Sequence, residues 1–105
     1  MKIIYNNIIP FKGFLAINLF GVLFVRGTDK DINERVLNHE MIHTAQMKEL
    51  WYIPFYILYF LEWLYRLTQQ GNAYRNISFE REAYENEMNL DYIANRRKWA
   101  MWRKD

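Results

Sequence analysis

Apolar positions fall in short runs near the N-terminus and in longer, helix-spaced runs further on. Residues 3–9, I-I-Y-N-N-I-I, read as a short strand that Pro10 ends or marks as an edge. Residues 14–26 are rich in β-branched and aromatic side chains, and Gly21 divides them into two strands or marks a bulge. A turn over Gly27 to Lys30 follows. Asp31 is placed as a helix N-cap with Glu34 as its capping-box partner. The helix is predicted to run to about Glu49, with Val36, Leu37, Met41, Ile42, Ala45 and Leu50 as apolar contacts.

Residues 50–67 form the most apolar stretch, and Pro54 suits the first turn of a second helix. Its only charges are Glu62 and Arg66, four apart in the favourable order. A helix apolar on all sides is buried in protein or in lipid. The uncharged run from Leu50 to Leu61 is too short to span a bilayer. The expectation is burial against the domain and a second subunit, a homo-oligomer through residues 52–67, with peripheral membrane contact as the alternative. Gln70-Gly71-Asn72 ends this helix, and Ser78 is placed as the N-cap of a long last helix reaching the C-terminus. Its basic end, R-R-K-W-A-M-W-R-K, complements the helix dipole or anchors the chain to an anionic membrane. The pattern therefore predicts an α+β fold: one domain over residues 1–105, with a small N-terminal antiparallel sheet followed by three helices.

Composition narrows the function. Hydrophobic residues make up 51% of 105 positions and aromatics 18%, more apolar surface than so short a chain easily buries. A net charge of +2, with no Gly-rich phosphate loop and no RNA-binding signature, argues against nucleic acid. Cysteine is absent, so disulfides and thiolate metal sites are excluded. Asn6, Asn7, Pro10 and Lys12 interrupt the first apolar run, so no signal peptide is evident; the expected location is the cytoplasm or a membrane surface rather than outside the cell.

The chemistry centres on His39-Glu40-Met41-Ile42-His43, an H-E-x-x-H that holds both histidines of the chain. Residues four apart share one face of a helix, so two imidazoles aim at one point with Glu40 beside them. That arrangement suits zinc, with Glu40 as general base toward an activated water. Cobalt, nickel and manganese also accept such ligands. Catalytic zinc takes three protein ligands, and without a further His or any Cys the third must be a carboxylate. The best source is Ser78-Phe79-Glu80-Arg81-Glu82-Ala83-Tyr84, in which only one of Glu80 and Glu82 can point at the ion. Gln46, three residues after His43, is a packing amide or a group that orients a ligand.

H-E-x-x-H followed by a helix carrying E-x-x-A resembles the gluzincin clan of zinc metallopeptidases. H-E-x-x-H-x-x-Q together with F-E-R-E-A-Y is similar to its small bacterial single-domain members, the minigluzincin type. The resemblance covers roughly residues 16 to 92 and implies a zincin-like half-domain. It also implies His39, His43 and Glu80 as zinc ligands, Glu40 as catalytic base, Glu82 as the alternative ligand, and a peptide or protein substrate. Tyr84 stands where many members carry an Asp that bonds the first histidine; its hydroxyl, or a backbone carbonyl, is expected to take that place. Tyr74, Tyr84 and Arg75 are candidates to stabilise a transition state. A reading of a different class is a non-catalytic or latent zinc-binding interaction module, including one at a membrane surface; a third is an enzyme held latent by its C-terminal tail folded over the cleft.

Overall fold

The computed structural model describes residues 2–8, 16–27 and 33–103. Strands β1 (Lys2–Asn6), β2 (Ala16–Leu19) and β3 (Val22–Arg26) precede helices α1 (Glu34–Glu49) and α2 (Ile53–Leu67). Helices α3 (Ala73–Asn76), α4 (Ser78–Asn86) and α5 (Tyr92–Asn95) follow, and a 3₁₀ turn covers Ala100–Trp102. The α+β class holds, with a three-stranded sheet ahead of five helices. Pro10 and Asp31 lie outside the described residues.

The sheet runs β1-β3-β2 and is mixed rather than wholly antiparallel. β2 and β3 form a hairpin closed by Phe20 and Gly21, both at positive φ, the geometry of a two-residue turn that matches strand twist. Gly21 also lets the turn approach α1, where an added Cβ would sit 3.4 Å from Thr44. β1 lies on the far side of β3 and pairs with it in parallel, Ile3 opposite Leu23 and Tyr5 opposite Val25. Period-two alternation is the same for both directions, so the pattern shows the strand but not its polarity. Leu23 and Val25 are fully buried.

Asn33 caps α1, accepting a hydrogen bond from the Val36 N–H at 2.9 Å. The α1–α2 corner is strained: Trp51 and Tyr52 both hold positive φ, and the Ile53 N–H bonds the Trp51 carbonyl at 2.8 Å. Pro54 lies in the first turn of α2, as its fixed φ favours. The core gathers Met47, Phe55, Ile77, Phe79 and Met101, where α1, α2, α4 and the C-terminal turn meet.

The long last helix does not form. α4 stops at Asn86 because the Asn38 amide, from α1, donates to the carbonyls of Asn86, Glu87 and Asn89 at 3.3, 2.9 and 3.0 Å. Ser78 is the first residue of α4 rather than its cap; its N–H and hydroxyl both donate to Glu62. The chain then returns against α1, held by Arg96 between Glu82 and Glu49. Among the described residues, no helix is long and apolar enough to cross a membrane.

Candidate metal centre

α1 presents His39 and His43 one turn apart, and α4 packs across that face. The three buried side chains His39, His43 and Glu80 converge. Glu80 Oε1 lies 3.1 Å from His39 Nε2 and 3.0 Å from His43 Nε2, and the two Nε2 atoms are 3.2 Å apart. Ligands at three corners of a tetrahedron around an ion at roughly 2.0–2.1 Å stand about 3.3–3.4 Å apart. The near-equilateral triangle thus fits a divalent ion with little movement. Ala83, fully buried three residues after Glu80, keeps this face of α4 free of bulk.

The proton on His43 is placed by its neighbour. The Gln46 amide nitrogen donates to the Phe79 carbonyl and to Glu82 Oε1, both at 2.9 Å. Its oxygen therefore faces His43 Nδ1, 2.8 Å away, so Nδ1 carries the hydrogen and a neutral His43 offers its Nε2 lone pair to the triangle. His39 is oriented by a carboxylate that sequence reasoning missed. Glu87 Oε1 lies 3.5 Å from His39 Nδ1, and its other oxygen pairs with Arg35. Tyr84 does not take that position: its ring meets the His39 ring at 4.6 Å, with the Arg75 guanidinium 4.0 Å from the Tyr84 ring centre. Glu87 follows Glu80 by seven residues, two helical turns, a spacing that could have flagged it.

Glu80 Oε2 accepts from the Tyr59 hydroxyl at 2.5 Å, a partner with no sequence signal within an aromatic helix. Burial alone would raise the Glu80 carboxyl, but the hydrogen bonds from both histidines and Tyr59 hold it well below the usual range. Burial alone would lower His43, yet the Glu80 carboxylate reverses this and pushes the imidazole up to about 9. Three basic atoms so close must share a proton or a cation. Glu82, two residues from Glu80, faces elsewhere; Arg96, Tyr92 and Gln46 occupy its oxygens.

No protein-family model, curated protein or solved structure matches this chain. The site is defined by its own geometry.

A cleft of about 250 Å³ opens onto the triangle between β2 and α2, lined by Glu40, His43, Tyr59, Tyr74 and Glu80. Glu40 is half-buried there. Burial raises its pKa, against the opposing pull of His43 and His39. Asn18 donates to the Glu40 carbonyl and to Thr44 Oγ1, both at 3.0 Å, tying β2 to this turn of α1. Burial and the Glu80 charge raise the pKa of Tyr74, which keeps its hydroxyl a proton donor at the cleft wall. Among the described residues, the C-terminal turn lines a separate cavity beside α4 and does not line this cleft. The His-His-Glu group could bind a metal ion.

Proposed function

We propose that the protein is a zinc-dependent hydrolase of peptide bonds. One observation carries the reading: a half-buried carboxylate, Glu40, shares an open cleft with His43 and Glu80 of a His-His-Glu triangle of metal-ligand dimensions. Zinc, when bound by His39, His43 and Glu80, supplies Lewis-acid activation of water and of a carbonyl. Glu40 takes the proton from the attacking water and returns it to the leaving amine, a role its raised pKa suits. Tyr74, at the cleft wall, is the candidate to donate a hydrogen bond to a developing oxyanion. β2 borders the cleft as an edge strand, and an extended peptide can lie along such an edge through main-chain hydrogen bonds.

The burial of all three donors also supports a second reading, a non-catalytic metal-stabilised interaction module, because structural sites are closed. Glu40→Gln separates the two. The variant is expected to keep its zinc and lose about 10²–10⁴-fold in hydrolysis of a peptide library. Full activity in Glu40→Gln would overturn the mechanism. A wild-type protein that holds zinc but cleaves nothing would favour the module.

A further inference from the structure

The outer half of α2 is solvent-exposed and bears no charge. Ile53, Ile57, Phe60, Leu61, Leu64 and Leu67 are each 42–56% exposed. Glu62 and Arg66 pair with each other on the inner half, where Glu62 also accepts from Ser78. With Leu58 and Tyr65, also exposed, the apolar arc spans about 180° of the helical wheel, wider than the roughly 100° stripe that packs one helix on a core. Helix-on-helix contact with a second copy would leave its flanks wet, whereas a fluid apolar phase covers the whole arc. Trp51, 83% exposed at the strained corner, precedes this helix, and Tyr65 lies exposed near its end. Both residue types favour the boundary between water and lipid.

A cationic border adjoins this face. Along one edge of α2, Phe60 contacts Trp63, and Trp63 packs on the core cluster that includes Met101. Trp102, half-exposed, donates its indole N–H to the Ser78 hydroxyl, which donates to Glu62 of α2; it stacks on Trp99, with exposed Lys98 and Arg103 close by in the chain. The cavity that Trp102 helps to wall is lined by Arg81, Arg97 and Arg103. Its acids are Glu85 and Glu82, and Arg96 neutralises the second. An apolar half-cylinder on the same small domain as exposed Lys98 and Arg103 is complementary to acyl chains beneath anionic headgroups. We infer that the protein docks on an anionic lipid bilayer, with α2 lying in the interface and the Lys98–Arg103 segment on the headgroups. α2 is about 22 Å long and lies in the plane rather than across it.

The test is co-sedimentation of the full chain with phosphatidylcholine vesicles, with and without phosphatidylglycerol, beside light scattering of the protein alone. Binding is expected to be at least tenfold tighter with phosphatidylglycerol and to weaken with salt. Ile57→Ser/Leu61→Ser/Leu64→Ser, at exposed positions whose folding circular dichroism verifies, is expected to lower partitioning more than tenfold. Lys98→Gln/Arg103→Gln is expected to lower it about tenfold on anionic vesicles alone. Failure to bind vesicles overturns the inference, and a stable dimer with no vesicle binding would assign the face to a second copy. Vesicle binding that ignores the serine substitutions would overturn it equally.

Discussion

Two buried carboxylates, Glu80 and Glu82, sit two residues apart on α4 and meet opposite fates. Glu82 is matched by a permanent cation, since Arg96 Nε lies 2.6 Å from one oxygen and its terminal nitrogen 3.0 Å from the other. Tyr92 and Gln46 donate to it as well. Among the described residues Glu80 meets no guanidinium or ammonium; its partners are two imidazoles and the hydroxyls of Tyr59 and Tyr74. Gln46 links the clusters, donating to Glu82 and accepting from His43. The Glu82 cluster is complete as it stands, whereas the Glu80 cluster is completed by a proton or a metal cation. A buried charge with a fixed partner is architecture, and one left to titratable partners is a site that can exchange its cation.

Breaking the complete cluster should cost most. Arg96→Met leaves Glu82 and Glu49 without their shared cation and is expected to destabilise the protein by about 3–5 kcal/mol. Urea denaturation of the zinc-loaded and zinc-free forms would measure this. A loss below about 1 kcal/mol would show that the pair is no more than a surface contact.

The incomplete cluster should show itself through pH. His43 in the metal-free fold is raised from 6.5 to about 9. Its contribution to stability is therefore fully present below pH 6.5 and lost as pH rises through about 9. The span corresponds to at most about 3 kcal/mol. Zinc affinity has the opposite dependence, rising with pH as the displaced proton becomes easier to remove. Thermal unfolding in chelator across this range, beside competition titrations with zinc, would reveal both slopes. A metal-free stability that rises across that range would contradict the assignment.

Smaller effects sharpen the comparison. Glu87→Gln and Gln46→Ala remove the groups that orient His39 and His43, and each is expected to weaken zinc binding 10–100-fold. Isothermal titration would quantify this, and unchanged affinity would reduce either residue to packing. Asn33→Ala removes the α1 cap and is expected to cost about 1 kcal/mol without altering zinc affinity. A change in affinity there would mean that the start of α1 is coupled to the site.

Much of the site was legible because its logic is local. The spacing of His39 and His43 sets both rings on one face, and Ala83 after Glu80 marks a close approach. Gly21 between two β-rich runs marked a strand boundary or a bulge, and the structure has the boundary, as a hairpin turn. What escaped is non-local. The end of α4 is imposed by Asn38 from another helix, and no pattern within residues 78–105 encodes it. β1 pairs in parallel with β3 by choice of sheet edge, which alternation does not specify. Tyr59 reaches Glu80 from a helix whose composition shows only hydrophobicity. The positive φ of Trp51 and Tyr52 runs against local preference and is sustained by the packing of Tyr52 against the core.

The central claim is that His39, His43 and Glu80 together hold one metal ion. Equilibrium dialysis against zinc, with untagged wild type, Glu80→Gln, Glu82→Gln and Glu40→Gln, tests it most directly. The account predicts about one zinc per chain in wild type, Glu82→Gln and Glu40→Gln, and its loss in Glu80→Gln. No zinc in the wild type, or zinc retained at full affinity in Glu80→Gln, would contradict it.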